Sequence, residues 1–362
     1  MSEVQSNLTK KRRSAVSIMG SLIGLVKPLL HIMIAAIILG TAGYLCAIFL
    51  TILAGQVIVH GILTGEMGAA IATETTDVAL SAQTVGITVK NLWLINTPVK
   101  TIIIIMIIIA VLRGILHYAE QYCNHFIAFK LLAIIRHKVF AALRKLCPAK
   151  LEGRDKGNLI SIITTDIELL EVFYAHTISP IAIATLTSLI MIVFIGRYHW
   201  MAGLLALAAY LIVGVAIPVW NGRRGSQMGM EFRTNFGELN SFVLDSLRGL
   251  DETIQYGQGE MRKEQMSQRS GNLAKMQRSL SKQEGSQRSF TNMVILLASF
   301  GMLTLTIWLY GRGELGFEEI LTCTIAMMGS FGPVVALSSL SNNLNQTLAS
   351  VPDILPIHRS SP

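Results

Sequence analysis

The chain alternates between long apolar stretches and long polar ones, a pattern typical of helices that cross a lipid bilayer several times. Each apolar stretch is close to or above the roughly 20 residues that a helix needs to span the hydrocarbon layer. The six stretches cover residues 29–59, 99–121, 177–196, 200–220, 291–310 and 319–340. The pattern therefore predicts an all-α, polytopic membrane protein with six transmembrane helices and with both chain ends on the same side.

The second of these helices is predicted to continue far beyond the membrane. Apolar residues keep a helical spacing downstream of the apolar stretch, as at Leu132, Ile135 and Val139. A helix from Pro98 to about Cys147 would be roughly 75 Å long, against roughly 30 Å of hydrocarbon. We interpret so long a helix as a lever that carries motion from the membrane to something outside it.

Two breaks interrupt the polar segments, and each lies between two long helices. Pro148, Gly153 and Gly157 end any helix in the first break, and glycines punctuate the second between residues 249 and 259. Both breaks are predicted to lie at the ends of long cytoplasmic helix extensions. The matching construction predicts that each presents a small helix to a cytoplasmic partner.

Positive charge is concentrated on one side of this topology. Of the 30 Lys and Arg residues, 24 lie before residue 28, between Lys130 and Lys156, or between Arg223 and Arg288. A six-helix topology places these three segments together, and the positive-inside rule makes that side cytoplasmic. Both termini are therefore predicted to be cytoplasmic, in a multi-pass protein of the inner (plasma) membrane.

The composition agrees with an integral membrane protein. Hydrophobic residues make up 52% of the chain and charged residues 14%, and the mean hydropathy is +0.54. The net charge of +8 indicates orientation and contact with membrane lipid rather than nucleic-acid binding, because no basic and aromatic residues alternate. Residues 1–28 are predicted to form a cytoplasmic N-terminus with an interfacial helix.

Ionisable side chains within the second apolar helix are candidates for a substrate pathway, because such groups are costly in a bilayer. Arg113, His117, Gln121 and His125 recur every four residues, and Glu120 lies beside them. Two interpretations stand side by side. In the first, the stripe lines a central cavity, where Arg113 would meet a carboxylate and the histidines would bind an anion, a metal or haem. In the second, Glu120 neutralises Arg113 in an internal network or packs at the cytoplasmic boundary.

The last apolar helix contributes two further candidates. Ser338 and Asn342 belong to a polar run that follows Gly332 and Pro333, which predicts a kinked helix with a wetted inner half. Glu318 and Glu319 precede this helix and are predicted to be outer-surface charges. No cluster of metal-ligand residues is evident in the sequence, and no metal site is predicted.

The two breaks carry a resemblance to a known family. The segment from Pro148 through Gly157 and Ser161 to Leu170 looks like the first intracellular loop of ATP-binding-cassette (ABC) exporters with six-helix membrane domains. Ser246 to Gly257 is similar to the second coupling helix of that family. The resemblance covers about residues 16–350, so residues 29–350 are expected to form the six-helix exporter domain.

The resemblance implies a half-transporter that works as a homo- or heterodimer. Its coupling contacts with an ABC nucleotide-binding domain, or with an ATPase-bearing half-transporter, would come from residues in both breaks. These are Leu151, Glu152, Asp155 and Gly157 in the first, and Leu247, Arg248, Gly249, Leu250, Tyr256 and Gly257 in the second. ATP and Mg²⁺ would bind to that partner domain, and this chain is expected to hold no cofactor and to be no enzyme by itself.

Within the family, two short segments look most like the subunit of the bacterial cysteine and glutathione exporter linked to cytochrome bd assembly. They are 113–125 and Tyr174 to Pro180. The long outer loop after the first helix departs from that subfamily.

The sequence contains no G-x-x-x-x-G-K-[ST] phosphate-binding loop. Residues 351–362 form a proline-rich tail that differs from the linker expected before an ATPase domain. We expect that domain either to come from another chain or to be lost by truncation. Two alternatives are a secondary transporter driven by an ion gradient, which the near absence of midplane Asp and Glu disfavours, and a fragment that does not transport.

Overall fold

The computed structural model describes residues 29–63, 99–146 and 178–337, and these residues are almost entirely helical. The helices are α1 (Leu30–Leu63), α2 (Val99–Leu146), α3 (Ser179–Gly196), α4 (Trp200–Leu211), α5 (Ile217–Arg248), α6 (Leu250–Gln255), α7 (Gly259–Gly311) and α8 (Phe317–Gly329). A π-helical turn, Ile212–Ala216, joins α4 to α5. Six helical segments are long and apolar enough to cross a membrane. The predicted all-α, six-helix membrane architecture is confirmed.

The long extensions predicted beyond the membrane are present. Helix α2 has 48 residues and α7 has 53, which at 1.5 Å per residue correspond to roughly 70 and 80 Å. Helices α4 and α5 form another continuous rod through the π-helical turn. Each rod is more than twice as long as the roughly 30 Å of hydrocarbon, so it projects well beyond the bilayer.

Helix α6 lies at the far end of two of these rods, where α5 turns back into α7. The N–H of Gly249 donates to the carbonyl of Asp245 at 2.9 Å and ends α5. Gly257, with φ of 63°, adopts the left-handed conformation that lets the chain reverse after α6. The glycine positions thus place a short helix at the end of the bundle farthest from the membrane.

The membrane core forms around the last helix. Buried side chains of α1, α3, α4, α7 and α8 pack together there, among them Ile48, Met191, Met302 and Met327. Helices α3 and α4 come especially close, because a Cβ atom added at Gly203 would lie 2.8 Å from the Cα atom of Gly196. Helix α2 packs chiefly along α1, and the apolar part of α2 is left largely uncovered by the rest of the chain.

The π-helical turn has an identifiable cause. Pro218 has no backbone N–H, so an α-helix through this position would lose a hydrogen bond. The turn shifts the pattern, and the N–H of Ile217 donates to the carbonyl of Ile212, five residues earlier. Gly214 in the turn faces the helical residues 332–337 that follow α8, because a Cβ atom added there would lie 3.1 Å from Val334 Cγ1. Tyr210 also hydrogen-bonds Ser330, where α8 ends.

Candidate functional site

The polar side chains of α2 divide into a buried pair and an exposed set. Glu120 and Asn124 are each only 4% exposed. Asn124 Nδ2 donates to Glu120 Oε1 at 2.7 Å, and His117 Nδ1 lies 3.2 Å from Glu120 Oε2. The two oxygens of the Glu120 carboxyl are therefore both engaged by side chains of its own helix.

Helix α1 leaves room for this pair. A Cβ atom added at Gly40 would collide with Ile183 Cδ1 of α3 and would lie 3.0 Å from Glu120 Cγ, so this glycine leaves room for both side chains. Glu120, Asn124 and His117 therefore form a small polar network on α2, beside the contact of α2 with α1.

The remaining stripe residues lie at the edge of this network. Arg113, His117 and His125 are exposed on the isolated chain and Gln121 is half-buried. His125 stacks on Phe129 with 6.1 Å between the ring centroids. Glu120 is thus paired with His117 and Asn124, whereas the hypothesis of an internal network had paired it with Arg113. Arg113, His117 and His125 lie where a pathway could reach them. Which role they serve stays a prediction.

An aromatic hollow continues the stripe toward the end of α2. Its volume is about 470 Å³, and it is lined by Tyr122, His125, Phe126, Phe129, Lys130 and Ala133. These residues share one face of the helix, since they recur at spacings of three and four. The face combines a large apolar surface with two basic side chains.

The short helix α6 and its flanks expose an apolar surface outside the membrane. Leu247, Leu250 and Tyr256 are all exposed, and Tyr256 is 72% accessible. Sequence reasoning missed Ile254, which is 70% exposed beside them. Its position four residues after Leu250 was the available signal, because residues at that spacing share a helix face. Arg248 ends α5, and Gly249 and Gly257 shape the turns on either side.

Several predicted site residues lie outside the described part of the chain. They are Leu151, Glu152, Asp155, Gly157, Ser338 and Asn342. The predicted N-terminal interfacial helix and the C-terminal tail lie outside it as well. These assignments stay predictions.

One expectation about charge is wrong. Glu318 was predicted at the outer surface, but only 7% of it is exposed. Glu319 caps α8 by accepting the N–H of Gly316 at 2.7 Å, and its neighbour Glu318 points instead into the contact with α1. Among the described residues, no group of three or more His, Cys, Asp or Glu is placed to hold a metal ion.

Comparison with known proteins agrees with this architecture. Residues 29–334 match the family model of the ABC transporter transmembrane region. The "Probable ABC transporter ATP-binding/permease protein" of Haemophilus influenzae is 38% identical, over 97% of this chain and 58% of its own length. The chain thus spans little more than half of that relative.

More distant relatives carry more specific names. The "Glutathione/L-cysteine transport system ATP-binding/permease protein CydC" of Haemophilus influenzae is 20% identical, over 70% of this chain and 44% of its own length. An "ATP-dependent lipid A-core flippase" of Shewanella frigidimarina is 23% identical, over 42% of this chain and 26% of its own length. With 306 of its 362 residues inside the family model, the chain belongs to the family of ABC transporter transmembrane regions.

Proposed function

We propose that this chain is the membrane-spanning part of an ATP-driven exporter, with α6 as a docking element for a nucleotide-binding domain. The observation that carries the proposal is the exposed apolar surface of Leu250, Ile254 and Tyr256 at the end of two rods. Apolar side chains that stand in water beyond a membrane are typical of an interaction surface. ATP and Mg²⁺ would bind to the docked domain, which belongs either to another chain or to a longer form of this one.

The rods suit the transmission of motion from that surface to the membrane. Helix α5 continues into a membrane span through the π-helical turn, and α7 contains another span without a break. Phe242 on α5 lies against two guanidinium groups of α7, with Arg262 at 5.1 Å and Arg269 at 4.6 Å from the ring centroid. These cation–π contacts hold the two rods together near α6, so a displacement of α6 would move both spans.

For the cargo, we propose a small anionic molecule of the glutathione and cysteine class. The exposed Arg113 and His117 offer donors to a carboxylate, and the exporter named for glutathione and cysteine is among the relatives. A lipid cargo, suggested by the flippase relatives, is the competing outcome. Uptake of labelled glutathione into inside-out proteoliposomes, compared with movement of a labelled lipid A analogue between leaflets, would separate the two.

The assembly we propose is a dimer in the inner membrane with cytoplasmic termini. Alternating access would arise from rigid-body motion of its two halves, driven by the docked ATPase domains. Uncovered apolar surface on α2 is consistent with further packing against a second membrane domain.

The test is to place charge in the docking surface. Leu250→Asp with Tyr256→Asp should leave the membrane helices folded and basal ATP hydrolysis by the partner domain intact, while transport and its stimulation of ATPase activity are lost. Gln255→Asp with Gln258→Asp is the matched control, because it adds the same two charges at exposed polar positions at the end of α6 and just after it. Normal transport by the variant with Leu250→Asp and Tyr256→Asp, or transport that survives ATP depletion and stops when the proton gradient collapses, would refute the proposal.

A further inference from the structure

A buried carboxyl group lies in the contact between the first and last membrane helices. Glu318, in the first turn of α8, lines a narrow cleft together with Gln56 of α1 and Thr322, one turn further along α8. The cleft is at the end of the helix bundle away from α6, because α7 crosses the membrane between α6 and α8. None of the functional residues proposed above belongs to it.

The helices approach each other closely at this point. A Cβ atom added at Gly55 would collide with Ile325 Cδ1, and one added at Gly329 would lie 3.1 Å from Thr51 Oγ1. The cleft has no room for a water molecule inside it. An enclosed water therefore does not satisfy Glu318 Oε1 or Gln56 Oε1.

Two hydrogen-bond acceptors in the cleft have no donor directed at them. Gln56 Nε2 is directed at Thr322 Oγ1, 3.5 Å away, which leaves Gln56 Oε1 facing the cleft. Within the part of the chain that the structure describes, Gln56 Oε1 and Glu318 Oε1 are both buried and have no hydrogen-bond partner. An unsatisfied buried acceptor costs about 1–3 kcal/mol, and more if it is charged. One proton placed between the two side chains would satisfy both atoms.

We propose that Glu318 carries a proton in this packed state and donates it to Gln56 Oε1, which makes the pair a proton-binding latch between α1 and α8. Loss of the proton would leave a carboxylate facing an amide oxygen. That arrangement is repulsive and requires water, so the two helices would separate at this end of the bundle. Binding and release of a proton would then bias the opening of the end away from α6.

The surrounding charges are consistent with a neutral carboxyl. Glu319 is adjacent on the same helix, so a second acidic group lies beside Glu318. Helix α1 contributes the neutral Gln56 to the cleft. In the turn before α8, the guanidinium of Arg312 pairs with Glu314 at 2.9 Å.

Infrared spectroscopy of the full chain in lipid nanodiscs tests the proton directly. The wild type should show a C=O stretch of a protonated carboxyl that Glu318→Gln removes and Glu314→Gln retains. In Gln56→Leu the band should remain but shift to higher frequency, because the hydrogen bond to the amide is lost. A spectrum unchanged by Glu318→Gln between about pH 5 and about pH 8 would overturn the proposal. Glu318 would then be ionised, with the Gln56 amide turned to donate to it.

Cross-linking tests the consequence for the helices. Thr51→Cys with Gly329→Cys, in a background where the four native cysteines are alanine, should form a disulfide while α1 and α8 are packed. The rate of disulfide formation is measured at each pH in two backgrounds, one with Glu318→Gln and one with Glu318 retained. Dividing the first rate by the second removes the pH dependence that the thiols themselves contribute. This ratio should rise several-fold as the pH increases, and a flat ratio would overturn the latch. Neither measurement requires transport, so both are independent of the proposed export function.

Discussion

His199 Nε2 lies 3.0 Å from Glu314 Oε2, and this contact joins the turn between α3 and α4 to the turn between α7 and α8. The other ring nitrogen of His199 accepts the backbone N–H of Met201 at 3.2 Å and caps α4. Since Nδ1 is the acceptor, the ring hydrogen is on Nε2 and is donated to Glu314. One imidazole thus fixes a helix start and ties two hairpins of membrane helices together.

We therefore predict that His199→Ala destabilises the protein by about 1–2 kcal/mol, because it removes both a helix cap and the bond between turns. His199→Asn keeps an acceptor for the cap and should be affected less. Thermal unfolding in nanodiscs would measure both variants. An equal loss of stability in His199→Ala and His199→Asn would show that the helix cap contributes nothing to stability.

The close approach of α3 and α4 gives a second prediction. Gly203→Ala should destabilise the protein by about 1–3 kcal/mol, because the new Cβ atom would meet the backbone of Gly196 at 2.8 Å and backbone cannot move aside cheaply. Gly301→Ala is the matched control. Its Cβ atom would meet only Leu205 Cδ2, at 3.9 Å, and alanine is the better helix former. If both variants unfold at the same temperature, the close contact between α3 and α4 does not determine the stability of the protein.

The division of the α2 stripe gives a third prediction. Glu120→Ala should lower the yield of folded protein, since Asn124 loses its buried partner at a cost of about 1–3 kcal/mol. Arg113→Ala removes an exposed side chain and should fold normally but lower transport. His117→Ala also takes away the 3.2 Å contact with buried Glu120 Oε2, so it should lower both the yield of folded protein and transport. Val111→Ala, at another exposed position of α2, controls for truncation alone. Loss of folded protein in Arg113→Ala would assign that residue to the structure instead of the pathway.

The fourth prediction concerns topology. Single cysteines replacing Lys90, Lys156 and Arg262, in the cysteine-free background, should react with an impermeant maleimide from outside only at position 90. This result follows from six membrane helices together with the positive-inside rule. Labelling of all three positions in sealed cells would contradict the orientation.

Much of the fold was readable from the sequence because membrane helices have a strong apolar signal. The spans, the long extension of α2 and the short helix after Gly249 all follow from runs of apolar residues and from glycine positions. The apolar signal does not show which side of a helix faces a neighbouring helix. The sequence therefore predicted Glu120 and Arg113 to belong to one polar stripe, although Glu120 is the one that lies next to Gly40 of α1.

The misplacement of Glu318 has a similar cause. Two consecutive acidic residues at a helix start look alike in sequence, and both are favoured there by the helix dipole. Their side chains point in directions about 100° apart, so one caps the helix and the other enters the contact with α1. The α1 residues that bury Glu318, among them Gln56, lie more than 250 positions earlier in the chain. Sequence periodicity holds no information at that distance.

The π-helical turn at Ile212–Ala216 acts as one extra residue in an otherwise regular helix. Because each residue of an α-helix advances the chain by about 100° around the axis, everything after the turn is rotated by about that amount relative to an uninterrupted helix. The direction in which α6 presents Leu250 and Tyr256 is therefore set by a residue count inside the bilayer. Insertion or deletion of a single residue there would rotate the exposed apolar surface of α6 about the helix axis, although every side chain at both ends of the rod would stay the same.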